Sequence, residues 1–449
     1  MPRRHNRWPL SRRRGPWHPA GLFAETALPS FRFLHAADLH LDSPLRGLDA
    51  DAAAPARRIR QASRDALTRL VDLALEQQVD FLLVAGDLYD GDWQDFRTGH
   101  ALVAAFARLT RAGIRIVAIR GNHDADSVLT RNLRLPEGAT LLSHRRPETL
   151  RFEELGVAFH GQSFATRAVV ENIARAYPLP LPGLFNIGLL HTSAVGHAAH
   201  ETYAPCSVEQ LAGHGYDYWA LGHVHERTVL HQDPWIVFPG NLQGRHINEP
   251  GAKGASLVTV RAGRVAEVAH HALDTVRWAR LVVDCSGAAD LPTVLDHARN
   301  AMAAALDAAD GRLLALRLVL EGACPAHAEL CRDSLATREH LRAAGLELSE
   351  DDLWIEAVRI HTRPALAAGA LLARADAVGQ LAGAIEALAA RPDAALTAAI
   401  GSYAAELLNR APRDTLPASH PAALAAGGTI PPELLDRARA LLLARLAET

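Results

Sequence analysis

The chain has 449 residues, 49% hydrophobic and 22% charged, with a formal net charge of -3. At roughly 150 residues per domain, that length predicts two to three domains, and the composition excludes wholesale disorder. The near-neutral balance excludes a histone-like polybasic binder, though not an enzyme that meets DNA at a local site, and no charge-free run long enough for a membrane span occurs.

Residues 1–30 hold six arginines and one acid. Without an apolar h-region they read as a disordered basic arm, or as a start codon placed too early, rather than a secretory signal. A strand is expected at 31–34. A helix follows over 57–78, with Ile59, Ala62, Ala66, Leu70 and Leu73 at helical spacing. Strands at 80–84 and 114–119 flank a helix at 95–110, and this alternation implies a parallel core of crossover units. Strands then come densely, at 157–160, 185–190, 218–221, 236–238, 256–260 and 265–270, and read as a second sheet. A break near Thr275 opens a small α+β segment: strand 280–284, helix 291–307, strand 313–320, a mostly helical 326–344 and strand 353–361. Residues 364–449 are helical, broken by a Pro-rich linker at 411–421. The last helix opens at Pro431-Pro432 and carries Leu435, Ala438, Leu442 and Leu446 on one stripe, for its own domain or for a partner. The expected division is 1–30, 31–274, 275–363 and 364–449.

The four cysteines, Cys206, Cys285, Cys324 and Cys331, show no CxxC spacing, so a disulfide framework or a thiolate zinc site is not expected, and reduced thiols in a cytoplasm are the default. The chemistry lies in five segments, each just after an expected strand. They are Asp38-Leu39-His40, Gly86-Asp87-Leu88-Tyr89-Asp90, Gly121-Asn122-His123-Asp124, His191, and Gly222-His223-Val224-His225. Each alone is weak. Together they place carboxylate, amide and imidazole groups at the carboxyl ends of successive strands, where sites assemble in open α/β sheets. Such ligands without thiolate suit Mn²⁺, Fe²⁺ or Zn²⁺, and Asp87 is the natural bridge for a metal pair that activates water and clamps a phosphate.

The order DxH, GDxxD, GNHD, H, GHxH resembles the calcineurin-like metallophosphoesterase signature. Residues 33–44, 86–93, 216–225 and 239–246 are similar to the SbcD class of DNA-repair exonucleases, its YhaO-type branch in particular. The resemblance implies a four-layer αββα sandwich with a small α+β DNA-capping domain and a C-terminal helical tail. It implies that Asp38, His40, Asp87 and His225 hold one metal and Asp87, Asn122, His191 and His223 a second, with Mn²⁺ the usual ion. His123 would sit at the scissile phosphate and protonate the leaving oxygen, with Asp124 orienting it.

Tyr89 is a candidate for facing the substrate, and Arg245 and His246 for contacting a backbone phosphate from a Gly-Arg-His turn. The implied activity is hydrolysis of DNA ends by an exonuclease that can also act as an endonuclease. It would be a homodimer in the bacterial cytoplasm, docked on an SMC-like or AAA-type coiled-coil ATPase. The competing reading is a metallophosphoesterase for cyclic nucleotides or small phosphodiesters, which leaves the residues after the catalytic domain to be explained otherwise.

Overall fold

The computed structural model describes residues 28–43, 55–90, 96–125, 134–194, 203–365, 371–410 and 421–447. Most of the basic arm, residues 91–93 of the second motif and most of the Pro-rich linker fall outside these.

Three sheets organise the chain. In the first, β1 (Phe31–Ala36), β2 (Phe81–Ala85), β3 (Arg115–Ile119) and β4 (Ala139–Leu141) run parallel. The second has β5 (Glu148–Phe152), β6 (Val157–Gly161), β7 (Phe185–His191), β8 (Tyr218–Gly222), β9 (Thr228–Gln232) and β10 (Trp235–Phe238) in the order β5-β6-β7-β8-β10-β9. The two strands that follow, β11 (Gly254–Arg261) and β12 (Arg264–Ala272), correct the sequence reading. They extend the first sheet rather than the second, with β11 pairing antiparallel to β1 through Phe31↔Val260 and Phe33↔Val258. Alternation fixes which face of a strand is buried, but it cannot say which sheet edge a hairpin joins.

The two six-stranded sheets pack face to face. Their shared core is aromatic: Phe33 and Phe81 stack with centroids 5.0 Å apart, and Phe159 meets Phe81 edge-on at 5.0 Å. On the outer face of the first sheet lie α1 (Pro55–Glu76) and α2 (Phe96–Arg111). Every apolar position expected to face inward from α1 is buried. That helix serves two cores: Ala66, Leu70 and Leu73 face the first sheet, while Ile59 and Ala62 meet the third. The one-turn α3 (Asn122–Ala125) follows β3, and among the described residues the outer layer on the second sheet is thin. It holds a 3-10 turn at Ile173–Ala176, the short α4 (Val208–Ala212) and extended chain packed round Trp219.

The third sheet contains β13 (Val276–Asp284), β14 (Leu313–Cys324) and β15 (Leu353–Pro364), all parallel, with β14 central. Against it pack α5 (Leu291–Ala308), α6 (His327–Arg332) and α7 (Ser334–Leu348). Asp290 and Asp333 cap α5 and α7 by accepting from the N–H groups of Thr293 and Ala336. The tail has α8 (Ala377–Ala390), α9 (Ala394–Arg410), α10 (Pro421–Ala426) and α11 (Pro432–Ala447). The expected stripe on α11 is split. Leu443 and Leu446 pack against Leu371, Val378, Ala382 and Ile385, whereas Ala438 and Leu442 are exposed. Among the described residues no helix is long and apolar enough to cross a membrane.

Candidate active site

Five strands, β1, β2 and β3 of one sheet and β7 and β8 of the other, bring their carboxyl ends to one edge of the sandwich. The loops after β1 and β2 lie side by side there: Asp38 N–H donates to the Gly86 carbonyl and His40 N–H to the Asp87 carbonyl, both at 3.0 Å. Their backbone is bent hard. Asp38 (φ 52°), His40 (φ 40°), Asp87 (φ 51°) and His223 (φ 103°) all have positive φ. Left-handed geometry in non-glycine residues costs about 1–3 kcal/mol each and persists only where surroundings enforce it. Gly121 shows how tight they are: a Cβ there would stand 2.2 Å from Asp87 Oδ1 and 2.7 Å from His191.

The side chains converge in overlapping groups whose ligand atoms lie within 4.8 Å of one another: Asp38, His40 and His225; Asp38, Asp87 and His191; and His40, Asp87 and His123. His40 Nε2 is 3.1 Å from His225 Nε2, and His191 Nε2 is 2.9 Å from Asn122 Oδ1 and 3.5 Å from Asp87 Oδ2. His223 stands beside them, its ring centroid 5.2 Å from that of His191, and its N–H donates to Asp38. All seven sequence-derived ligand candidates thus meet at one place, with Asp38, His40 and Asp87 each shared between two groups.

Two of the outer ring nitrogens are tied down. His191 Nδ1 lies 2.9 Å from the Ala85 carbonyl, which fixes its N–H there and leaves Nε2 as a lone pair facing inward. His225 Nδ1 is held the same way, 2.7 Å from Glu249 Oε1. Burial lowers the pKa of His191 to about 3 and pushes His40 well below the usual range, which favours the neutral form of both imidazoles. Burial raises Asp38, and the charge of Asp87 raises it further; Asp87 is itself raised by burial. Crowded buried carboxylates among neutral imidazoles are the environment that a divalent cation stabilises, so the donor set fits a metal pair.

Beside this cluster stands His123, and its partner corrects the sequence reading. His123 Nδ1 lies 2.6 Å from Asp90 Oδ1. Burial pulls the His123 pKa down, but the Asp90 hydrogen bond and the charges of Asp87 and Asp90 outweigh it, and the net shift is upward. Burial works against ionisation of Asp90 too, yet the hydrogen bonds from His123 and Ser43 hold its pKa at about 2. Asp124 instead points back into the fold, where it accepts the N–H groups of Leu88, Tyr89 and Gly121 at 3.0–3.1 Å. It braces the two loops and does not orient the imidazole. Burial and the charge of Asp87 raise its pKa to about 7. Asp90 was visible in the sequence as the second aspartate of GDxxD; chain adjacency favoured Asp124, and one helical turn at Asn122–Ala125 turned Asp124 away.

Tyr89 is also corrected. It is fully buried in the core under the helices and does not face the cavity. The other two substrate candidates do reach the site. Arg245 and His246 line a cavity of about 660 Å³ together with Asp87, Asn122, His123 and His225. The Arg245 guanidinium is 3.5 Å from Asp90 and 2.9 Å from Glu249. Arg167, Tyr203, Glu249 and Lys253 line the same cavity and were not foreseen. Glu249 follows His246 by three residues in a loop without periodicity, so spacing gave no signal for it.

Comparison with known proteins agrees with this geometry. The calcineurin-like phosphoesterase family matches residues 31–227, and the middle domain of the metallophosphoesterase YhaO matches residues 278–363. A Bacillus subtilis protein described as an uncharacterized metallophosphoesterase, YhaO, is 34% identical over 302 residues, 66% of this chain and 73% of that protein. The chain belongs to the calcineurin-like metallophosphoesterase family. It is accordingly a hydrolase of phosphoester bonds; the family uses a dinuclear metal site, and the donor cluster holds the candidate ligands for one. Two archaeal proteins described as DNA double-strand break repair protein Mre11 are more distant relatives of this metallophosphoesterase. The one from Methanopyrus kandleri is 28% identical over 57% of this chain, and the one from Sulfurisphaera tokodaii 25% over 51%. The match spans 60% and 59% of their lengths.

Proposed function

We propose that the chain is a two-metal phosphodiesterase acting on DNA ends, an exonuclease with endonuclease capacity that serves DNA repair. The observation that carries this reading is the His123–Asp90 pair at 2.6 Å, facing a cavity that the metal-ligand candidates share with Arg245 and Lys253. Two divalent ions, Mn²⁺ in this reading, would be held by Asp38, His40, Asp87 and His225 and by Asp87, Asn122, His191 and His223. When bound, such a pair supplies positive charge for the phosphoryl oxygens and an acidified water for attack. His123, kept protonated by Asp90, then donates its proton to the departing sugar oxygen. Arg245 lies where it can neutralise a non-bridging oxygen or the next phosphate along the strand.

The similarity to the Mre11 proteins favours DNA over a small phosphodiester. In this reading residues 31–274 are the nuclease domain, 275–363 cap the bound DNA, and 364–449 dock an SMC-like or AAA-type coiled-coil ATPase, in a homodimer in the bacterial cytoplasm. The test is cleavage of end-labelled duplex and single-stranded DNA with Mn²⁺, Mg²⁺ or chelator, beside His123→Ala and a cyclic nucleotide. Mn²⁺-dependent shortening from ends, lost in the variant, is expected. Intact DNA together with hydrolysed cyclic nucleotide would transfer the assignment to a small-phosphodiester hydrolase.

A further inference from the structure

The loop from Asn241 to Lys253 does more than line the cavity. At its centre is Glu249, an acid that is 6% exposed. Its Oε1 lies 2.7 Å from His225 Nδ1 and accepts Arg245 at 2.9 Å. Its Oε2 accepts the Asn241 amide at 2.9 Å and the Arg245 backbone N–H at 2.8 Å. A buried carboxylate with this many donors is fixed in place and ionised. The His225 carbonyl is gripped as well, by Lys253 Nζ at 2.7 Å. One side chain therefore sets the ring orientation of a metal-ligand candidate and also aims the guanidinium that meets Asp90.

The same loop is fastened to the middle domain. Gln243 Oε1 accepts the N–H groups of Thr275 and Val276 at 2.8 and 3.2 Å, and its amide donates to the Val276 carbonyl at 2.6 Å. Trp278 Nε1 donates to the Gly244 carbonyl at 2.9 Å, and Gly251 N–H donates to the Trp278 carbonyl at 3.0 Å. Ile247 packs into the cluster that holds Trp278, Leu313 and Ile59. Gly244 is pressed between the two: a Cβ there would come 2.7 Å from the Glu249 carbonyl and 3.1 Å from the Trp278 ring.

We propose that Glu249 is a positioning residue through which the first strand of the middle domain, by way of Trp278 and Gln243, holds His225 in place to bind its metal ion. The inference rests on the metal-centre reading and not on the identity of the substrate. Removing a carboxylate that orients a metal-bound histidine costs about 10- to 100-fold in metal affinity.

The test is calorimetric titration of Mn²⁺ into the full chain for wild type, Glu249→Ala, Glu249→Gln and Trp278→Phe, with a thermal melt of each in chelator. The wild type should take up two ions. Glu249→Ala should lose roughly 10- to 100-fold at one ion and keep the other, with Glu249→Gln, which retains an acceptor for His225 Nδ1, losing less. Trp278→Phe removes the bond to Gly244 along with part of the ring packed in its cluster, and should weaken the same ion by a smaller factor. If Glu249→Ala lowers the melting temperature but binds both ions as the wild type does, Glu249 is merely structural and the proposal fails. If Trp278→Phe leaves the weakened site of Glu249→Ala at full affinity, the link to the middle domain fails. A wild type that binds no Mn²⁺ would overturn the metal-centre reading itself, and the two failures are thus distinct.

Discussion

Replacing Asp90 with asparagine tests whether it, and not Asp124, is the working partner of His123. The substitution keeps shape and hydrogen-bonding capacity but removes the charge 2.6 Å from Nδ1. Side chains here are 26% and 16% exposed, so solvent screens the pair only in part. A hydrogen bond to a charged group contributes about 1.5–3 kcal/mol. If that stabilisation favours the imidazolium, its loss at about 1.36 kcal/mol per decade corresponds to roughly a 10- to 160-fold fall in kcat on DNA. The His123 pKa is raised in the wild type by the Asp90 bond and nearby carboxylates, against burial. Without Asp90 it falls, so the alkaline limb of the kcat–pH profile should move to lower pH. An aryl phosphodiester, whose leaving group needs little protonation, should show a much smaller loss. Equal losses on both substrates, or an unmoved alkaline limb, would refute the general-acid role.

Three further outcomes follow from the packing. Gly121→Ala, which forces a Cβ to 2.2 Å from Asp87 Oδ1, should abolish high-affinity Mn²⁺ uptake in a calorimetric titration. Tyr89→Phe should leave cleavage intact and keep or raise stability by about 1 kcal/mol, since its buried hydroxyl has no hydrogen-bond partner among the described residues; a denaturant titration checks this. Phe81→Ala should cost about 3–5 kcal/mol by opening the aromatic core between the two sheets, read as a fall in the denaturation midpoint.

The convergence of the candidate donors was legible because their chemistry is local: short motifs after strands need only the strand ends to align, and Asp38, Asp87, Asn122, His191 and His225 do converge. The core of crossover units was legible for the same reason, and α1 buries the residues its periodicity indicated. What escaped was non-local. Asp124 neighbours His123 in the chain, yet a single helical turn directs it to backbone N–H groups, while Asp90 crosses from another strand to reach the ring. Tyr89 was a candidate for facing the substrate because it sits in a motif, but its side chain is buried in the core under the helices. The hairpin β11–β12 carries ordinary alternation, and only the free edge of β1 decides where it docks. Glu249 had no spacing to betray it; its meaning comes from Gln243 and Trp278 on the far side of the loop.

The most direct test of the account is anomalous diffraction from crystals of the chain soaked in Mn²⁺. Two peaks are predicted, both within bonding distance of Asp87, one reached by His40 and His225 and the other by Asn122, His191 and His223. A single peak, or two that do not share Asp87, would contradict the two-metal centre on which the proposed chemistry stands.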